Sequence, residues 1–313
     1  MVAAPALIPR LACPVDRSTL VATEGGARCT NPSGPPHVYP VGSAGFLEVA
    51  SADSPVLRVE STDDTYAHTQ ESGGRRVYDA YLEPWLREIG ADSVLDAGCG
   101  IGSTVQAMRE GGFDALGVDM RGVTRYWQEA GHDPDAFVVG DVIALPFPDD
   151  TFDAVLTLGV IEHVGTTTGH VTLDDGWRQA REAFTAELTR VTRPGGRILV
   201  ACPNKWFPLD VQHGPTDEGT PAPLRAKVFD RFKVNVHPTW GAYHLASYGD
   251  LADWFGRDRV HPLPLTGYFG FSALDRPNMP SVLAWAARSW VDRLPAGLRR
   301  TPLNPYVLAE IAC

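Results

Sequence analysis

A short apolar run that contains an acid and leads into three alternating glycines is the feature that most constrains this chain. Residues 94–102 read Val-Leu-Asp-Ala-Gly-Cys-Gly-Ile-Gly, and Ser103 to Arg109 follow in a pattern compatible with a helix. The apolar run is typical of a buried parallel strand. Glycine permits a positive φ and lets a ligand approach the backbone closely. The segment therefore predicts a strand, a ligand-binding turn and a helix.

The ligand class follows from the glycine spacing and from the acids near the loop. A dinucleotide site requires G-x-G-x-x-G and places a pyrophosphate on the helix N-terminus. This loop has the spacing G-x-G-x-G and no Lys or Arg; Asp96 precedes it, and Asp119 and Asp141 follow the next two apolar runs. Three carboxylates would repel a pyrophosphate. They favour a cationic ligand with ribose hydroxyls and an adenine amine, which indicates S-adenosylmethionine (SAM).

Further motifs make the central region similar to a known family, the class I SAM-dependent methyltransferases. The resemblance covers about residues 75 to 204 and is carried, in order, by Asp96-x-Gly98-x-Gly100-x-Gly102, Gly117-Val118-Asp119, Gly140-Asp141-Val142, Leu145-Pro146-Phe147, Phe152-Asp153, Gly159-Val160-Ile161-Glu162-His163-Val164 and Arg193-Pro194-Gly195-Gly196. As an ordered set these motifs are far more specific than a glycine-rich loop alone.

The resemblance implies an α/β fold with a Rossmann-like, doubly wound and mostly parallel seven-stranded sheet. The alternation of strand and helix patterns over residues 92–204 favours the same architecture. In this family Asp119 would bind the ribose hydroxyls of SAM, Asp141 its adenine amine, and the glycine loop its methionine moiety. The cofactor-binding residues expected on this basis are Asp96, Gly98, Gly100, Gly102, Asp119, Met120, Asp141, Val142 and Leu158.

Composition divides the chain into three predicted parts. Residues 1–50 are rich in Pro, Gly, Ser and Thr and are similar to a degenerate zinc ribbon, which would form a small N-terminal β ribbon. Residues 51–74 are rich in Ser, Asp, Thr and Glu and are expected to form a linker or a mobile lid. Residues 75–313 are expected to form the methyltransferase domain. An insertion over about 203–262, dense in aromatics and histidines, would be a substrate cap or a helical subdomain with its own core.

The N-terminal segment raises the question of a metal site. Cys13 and Cys29 stand where the two knuckles of a zinc ribbon would begin, but Asp16 and Pro32 occupy the positions of the second thiols. Tetrahedral zinc requires four ligands. Cys13, Asp16, Cys29 and His37 would supply them only with an unusual spacing. We therefore predict a segment without a metal that packs on the main domain.

Catalysis is predicted to depend on a glutamate and on histidines in the second half of the chain. Methyl transfer from a sulfonium is an in-line displacement, and a base is needed only if the acceptor must lose a proton. Histidine titrates near neutral pH, and the histidine candidates are His163, His213, His237 and His244. His163 is the first candidate for the base, because the resembling family places this turn at the methyl group of SAM. The predicted catalytic set is Glu162, His163, His213 and His244.

A catalytic metal is not predicted. Some small-RNA methyltransferases bind a divalent metal through Glu-x-x-Glu-His and a later histidine. Gly159 stands here in place of the first glutamate. The resemblance therefore gives no support to a metal at Glu162 and His163.

Charge and composition restrict the partners. The net charge of −11 disfavours non-specific binding to nucleic acid and, more weakly, to anionic membranes. No run of 18 apolar residues predicts a membrane-spanning helix, and Val2 to Ile8 makes a poor signal peptide. The five cysteines are odd in number and scattered, which indicates no disulfide framework. We expect a cytoplasmic protein.

The function expected from the sequence is methyl transfer from SAM to a small-molecule acceptor, with oxygen as the expected acceptor atom. Methylation of carbon or nitrogen, or a SAM-driven cyclisation, stays open within the same class. The alternative from another class is a non-catalytic SAM-binding partner subunit. The sequence names neither the acceptor nor the oligomeric state.

Overall fold

The structure, a computed structural model, describes residues 5–31, 33–59, 73–167, 171–210, 212–215, 223–232, 234–268 and 281–313. Most of the expected linker or lid and part of the expected cap lie outside these ranges. The chain divides into two compact units, which are taken separately below. Unit 1 comprises residues 1–156, 186–198 and 313, and unit 2 comprises residues 157–185 and 199–312.

Unit 1 contains the parallel strands that the glycine loop predicts. Its strands are β4 (Leu47–Val49), β5 (Ser93–Ala97), β6 (Asp114–Asp119), β7 (Phe137–Gly140) and the first part of β8 (Phe152–Leu158). The pairs β5–β6, β5–β8, β6–β7 and β4–β7 are all parallel. All of β5 and β7 is buried, as expected for strands covered on both faces. Because the strands are parallel, their carboxyl ends meet at one edge of the sheet.

The helices of unit 1 follow the strands as the βαβ pattern predicts. They are α1 (Glu83–Glu88), which continues a π-helical turn over Tyr78–Leu82, then α2 (Ser103–Glu110) and α3 (Thr124–Glu129). Helix α2 begins directly after the glycine loop and buries Val105, Ala107 and Met108. The loop therefore joins the carboxyl end of β5 to the start of a helix, which is the geometry that binds ligands in open α/β sheets.

The N-terminal segment is built into unit 1. Strands β1 (Leu20–Thr23), β2 (Gly26–Cys29) and β3 (Val38–Pro40) form a small antiparallel sheet. Strand β4 follows this small sheet in the chain and pairs with β7 of the large sheet. The described large sheet thus has eight strands rather than the predicted seven. Three of them are β9 (Thr192–Pro203), β12 (Val260–Pro262) and β13 (Tyr306–Ala312), and the order is β12-β13-β9-β8-β5-β6-β7-β4. The expected Rossmann-like, mostly parallel character is confirmed.

Unit 2 holds the antiparallel edge and the described parts of the expected cap. Its strands are the end of β9 (Thr192–Pro203), β10 (Leu209–Asp210), β11 (Asn235–Val236), β12 (Val260–Pro262) and β13 (Tyr306–Ala312), and β12 pairs antiparallel with β13. Its helices are the first half of α4 (Trp177–Val191), then α5 (Pro223–Phe232), α6 (Tyr248–Phe255) and α7 (Ser281–Asp292). Within the described ranges no helix has both the length and the apolar character needed to cross a bilayer.

Candidate functional site

The predicted cofactor loop of unit 1 has a backbone that only glycine adopts readily. The φ angles are +92° at Gly98, +54° at Gly100 and +85° at Gly102. All three lie in the left-handed region, where a Cβ is strained. The backbone N–H groups of Gly98 and Cys99 both donate to the carbonyl oxygen of Val118, at 2.9 and 3.2 Å. The alternating glycines therefore reflect the shape of the turn as well as the expected approach of a ligand.

Aromatic side chains behind the loop hold it in place. The indole Nε1 of Trp127 donates to the carbonyl of Gly100 at 2.7 Å, and the His132 ring bonds the carbonyl of Ile101 at 3.0 Å. A Cβ on Gly102 would lie 2.6 Å from the ring of Phe137, so packing alone excludes a side chain there. Sequence reasoning did not find Trp127 or His132, because nothing local connects them to the loop.

The acid at the end of β6 is bound to the glycine loop. Asp119 is 9% exposed, and its two oxygens accept hydrogen bonds from the backbone N–H groups of Gly100 and Met120, both at 2.7 Å. Burial raises the pKa of Asp119 to about 6, against the lowering effect of these two hydrogen bonds. Burial, and then the charge of Asp119, raise the pKa of Asp96 to about 7. A cationic ligand would stabilise both ionised carboxylates.

The acid after β7 has a partner that the sequence did not indicate. The Ser54 hydroxyl donates to Asp141 Oδ2 at 2.6 Å, and the Ile143 N–H approaches Asp141 Oδ1 at 3.2 Å. Ser54 belongs to the segment predicted to be a linker or lid, and both Ser54 and Asp141 are buried. The remaining expected cofactor residues, Met120, Val142 and Leu158, are partly exposed.

The predicted catalytic residues come together in unit 2, around a buried arginine. Glu162 and His163 lie in the turn after β8, where the His163 N–H donates to the carbonyl of Val160 at 2.8 Å. Arg181 of α4 is 1% exposed, and its guanidinium donates to the carbonyls of Val164 and His244, at 3.1 and 2.6 Å. Arg181 therefore links the turn after β8 to the segment that carries His244 through hydrogen bonds to both backbones.

Three side chains of this cluster form a hydrogen-bonded row. Asp210 Oδ2 lies 2.8 Å from His213 Nδ1, and His213 Nε2 lies 3.4 Å from His163 Nε2. The backbone N–H groups of Gln212 and His213 also approach Asp210 Oδ1, at 2.8 and 3.2 Å. Asp210 is 1% exposed. The carboxylate therefore orients His213, a role that nothing in the local sequence indicated.

Two other members of the cluster are buried with polar atoms unsatisfied. Both carboxyl oxygens of Glu162 and both ring nitrogens of His244 lack a hydrogen-bond partner in the described part of the chain, although the two residues are 1% and 0% exposed. Burial raises the pKa of Glu162 to about 7. Burial, and then the charge of His213, lower the pKa of His244 to about 3. An unsatisfied buried acceptor is costly, so such atoms indicate a position where a ligand or a proton is needed.

The electrostatics of the row favour a charged pair. Burial alone would lower the pKa of His213, but the hydrogen bond and charge of Asp210, followed by the charge of Glu162, raise it overall. Burial likewise opposes ionisation of Asp210, yet the bond to His213 lowers the pKa of that carboxyl below its usual value. The Asp210–His213 pair can therefore hold a proton as an ion pair.

His237, the remaining histidine candidate, belongs neither to the row nor to the other members of the cluster. Its ring stacks on Tyr243 with centroids 4.7 Å apart, and its Nδ1 approaches the carbonyl of Pro238 at 3.1 Å.

Ligand atoms of Glu162, His163 and His213 lie within 4.8 Å of one another, as do those of Asp210, His213 and His244. Either set has the donor types of a metal site.

Comparison with known proteins shows which family the central region matches. Residues 95–200 match the family described as Methyltransferase domain. The chain is similar to norajmaline N-methyltransferase of Rauvolfia serpentina (32% identical over 117 residues, 34% of this chain and 35% of that protein). It is similar to malonyl-(acyl-carrier protein) O-methyltransferase of Erwinia billingiae (27% over 154 residues, 46% and 56%). It also resembles the ubiquinone/menaquinone biosynthesis C-methyltransferase UbiE of Paracoccus denitrificans (29% over 211 residues, 63% and 73%).

Over residues 95–200 the chain therefore carries a methyltransferase domain. The predicted family, enzyme class and cofactor, SAM, are confirmed. The matched part of the chain spans about a third to a half of the first two relatives and 73% of the third. The names of the three relatives specify nitrogen, oxygen and carbon as the methylated atom. The family thus establishes the chemistry of the donor and leaves the acceptor atom open.

Proposed function

We propose that this protein transfers the methyl group of SAM to an oxygen atom of a small-molecule acceptor. The observation that carries this proposal is the row Asp210–His213–His163, in which a carboxylate orients one imidazole and that imidazole lies 3.4 Å from the next. A hydroxyl acceptor must lose its proton as the methyl group arrives, whereas a nucleophile without a proton needs no base. A row of two histidines oriented by a buried carboxylate suits the first case.

In the proposed reaction the acceptor oxygen attacks the methyl carbon in line with the sulfonium sulfur. The carbon–sulfur bond breaks, its electron pair stays on sulfur, and S-adenosylhomocysteine leaves as a neutral thioether. His163 accepts the hydroxyl proton on one nitrogen and passes a proton from Nε2 to His213 Nε2. The resulting His213 imidazolium is stabilised by the Asp210 carboxylate, which raises the pKa of His213 while its own pKa is lowered. Glu162 would bind a polar group of the acceptor through its unsatisfied oxygens.

The test combines product identification with one matched pair of variants. Purified protein is incubated with labelled SAM and a metabolite extract, and mass spectrometry locates the label on the product. With the acceptor known, His163→Ala should lower kcat by about 10²- to 10⁴-fold, the range for loss of a general base. SAM affinity should stay near that of the wild type, and the acidic limb of the pH–rate profile should disappear. His261→Ala, on the exposed side of β12, is the control and should leave both unchanged.

Several outcomes would contradict the proposal. Label on nitrogen or carbon would replace the oxygen assignment, and turnover that requires a second chain would favour the partner-subunit alternative. Loss of SAM binding together with activity in His163→Ala would make His163 a structural residue.

A second candidate keeps the same reaction but adds a divalent cation held by Glu162, His163 and His213. The unsatisfied oxygens of Glu162 favour it, since a metal would satisfy them. Metal-depleted protein that regains more than about tenfold in kcat on addition of one divalent ion would support this candidate over a metal-free base, because an electrostatic contribution of that size is typical of such ions.

A further inference from the structure

Four side chains of the N-terminal segment that are distant in sequence come together in the folded unit 1. One precedes β1, one lies in the turn before β1, one ends β2 and one precedes β3. Their ligand atoms all lie within 4.8 Å of one another. We call these four residues the N-terminal cluster: Cys13, Asp16, Cys29 and His37. The sequence argued against a metal here because of the spacing, and the fold removes that objection.

Four of the six distances between ligand atoms of the N-terminal cluster match the edges of a zinc tetrahedron, and the other two are below 4.8 Å. His37 Nδ1 lies 3.4 Å from the sulfur of Cys13, 3.4 Å from the sulfur of Cys29 and 3.4 Å from Asp16 Oδ2. The sulfur of Cys29 lies 3.8 Å from the same Asp16 oxygen. A tetrahedron with zinc–sulfur bonds of about 2.3 Å and zinc–nitrogen or –oxygen bonds of about 2.0–2.2 Å has edges of about 3.3–3.8 Å. All four measured edges lie in that range.

Hydrogen-bond donors surround the cluster as they surround metal ligands. The backbone N–H of His37 approaches the sulfur of Cys29 at 3.0 Å, and the Tyr39 hydroxyl lies 3.0 Å from the sulfur of Cys13. Asp16 accepts from the Asn31 amide at 2.6 Å and from the Ser18 hydroxyl at 2.6 Å. Such outer contacts orient ligands and support their anionic forms.

We propose that the N-terminal cluster binds one Zn²⁺ ion in a closed tetrahedral site. Two sulfurs, one imidazole nitrogen and one carboxylate oxygen are ligand types that zinc combines readily, and thiolates disfavour Mg²⁺ and Ca²⁺. Four protein ligands complete the coordination, so the site has no open position for a substrate and its role is structural. Both cysteines are fully buried, which shields their thiolates from solvent.

The ion would give the small sheet a stability that its size does not provide. Strands β1, β2 and β3 have four, four and three residues, and so small a sheet has little core of its own. The segment packs on the rest of unit 1, where the Ala12 N–H donates to the carbonyl of Pro146 at 3.0 Å and Arg17 pairs with Glu187 at 2.8 Å. Zinc would link the ends of all three strands and fix this packing.

The first experiment measures metal content in the full chain, purified without a histidine tag. Elemental analysis after gel filtration should give about one zinc per chain, as one four-ligand site requires. Cys13→Ser should lose this zinc. Cys313→Ser, which changes a cysteine outside the cluster, is the matched control and should retain it. Equal zinc in both variants would place the ion elsewhere and overturn the proposal.

The second experiment remains informative if Cys13→Ser fails to fold. Wild-type protein is reduced, stripped of metal with a chelator, shown to be folded, and titrated with Co²⁺ as a spectroscopic substitute for Zn²⁺. Tetrahedral absorption bands and a thiolate charge-transfer band should appear at one equivalent and disappear when Zn²⁺ is added. Asp16→Asn should weaken Co²⁺ binding by more than about 10-fold, at least the effect of an outer-shell change, whereas the exposed Asp258→Asn should not. Folded, reduced wild-type protein that takes up neither metal would overturn the proposal.

Discussion

The acids at the glycine loop of unit 1 and the histidine cluster of unit 2 differ in whether their side-chain polar atoms have hydrogen-bond partners. In unit 1, both oxygens of Asp119 accept backbone hydrogen bonds, and the glycine loop is held by side chains behind it. In unit 2, Glu162 and His244 have no hydrogen-bond partner in the described ranges for any of their side-chain polar atoms. The hydrogen bonds of Asp119 are therefore made without a ligand, whereas those of Glu162 and His244 are not. If SAM binds the glycine loop as predicted, it meets a preformed loop, whereas the histidine cluster depends on a bound group or on its protonation state.

The largest effect should follow from a change that destroys the preformed loop. Gly100→Val places a β-branched residue at φ +54°, at the position whose own N–H donates to Asp119, so strain and steric exclusion should act together. We expect SAM affinity, measured by calorimetry, to fall by more than about 10²-fold, a loss of more than about 2.7 kcal/mol. Circular dichroism should show that the sheet persists.

The matched control for this variant is Gly112→Val. Gly112 also has a positive φ, +87°, but a Cβ there meets no atom within 4 Å. It should bear the same kind of backbone strain and keep SAM affinity within about threefold, an effect under 0.7 kcal/mol. Equal loss of binding in both variants would show that strain in general, rather than the loop, controls binding.

A change at Asp210 tests whether the histidine cluster works as a row. Asp210→Asn removes the charge that raises the pKa of His213, and burial then lowers that pKa. If neutral His213 is required, activity rises with pH through the pKa of His213, so the acidic limb should move to lower pH in the variant. We expect kcat at the optimum to fall by about 10²-fold or more, since the orienting carboxylate is lost, with SAM affinity unchanged.

The shift of the acidic limb separates this role from a purely structural one. Asp258→Asn, an exposed change in unit 2, should leave both kcat and the limb in place. A variant at Asp210 whose activity falls uniformly at all pH values would show that the carboxylate only supports the fold.

The free energy of unfolding should depend on pH because ionised Glu162 is buried without a hydrogen-bond partner in the described ranges. Burial raises the pKa of Glu162 from 4.5 to about 7, so the folded state binds more protons than the unfolded state between these values. Stability therefore falls as pH rises through this window. Glu162→Gln removes the titrating group, and its free energy of unfolding relative to the wild type should increase by about 1–3 kcal/mol between pH 5 and pH 8.

Denaturant melts at the two pH values measure this difference in the absence of ligands. Glu182→Gln, an exposed change on α4, should show no such pH dependence. A relative stability of Glu162→Gln that is the same at both pH values would mean that Glu162 ionises normally in the folded protein, and the contrast between the two clusters would then be wrong.

The smallest effect should come from a change at Ser54. This residue lies in the predicted linker and donates a hydrogen bond to Asp141, one of the predicted cofactor residues. Ser54→Ala removes the 2.6 Å hydrogen bond to Asp141. We expect SAM affinity to fall by about 2- to 10-fold, the equivalent of about 0.5–1.5 kcal/mol for one hydrogen bond. Ser51→Ala, whose hydroxyl bonds Asp53, is the control for calorimetry and should bind SAM as the wild type does. Unchanged affinity in Ser54→Ala would show that Asp141 binds no part of SAM or needs no orientation.

The sequence by itself determined the class of the fold and the cofactor. The glycine loop, the acids that follow β6 and β7, and the alternation of strand and helix are local patterns, and parallel strands bring their carboxyl ends to one edge. These patterns depend on backbone conformation and on the periodicity of burial, which neighbouring residues encode directly.

Only the tertiary structure decided how distant polar side chains are paired. Ser54 and Asp141 are 87 residues apart, His163 and His213 are 50 apart, and Trp127 lies 27 residues from the carbonyl of Gly100 that it binds. The N-terminal cluster is the clearest case, because its spacing argued against a metal and its geometry argues for one. Such contacts depend on where strands and turns meet in space, and no local pattern of a single sequence records the separation between two side chains that meet only after folding.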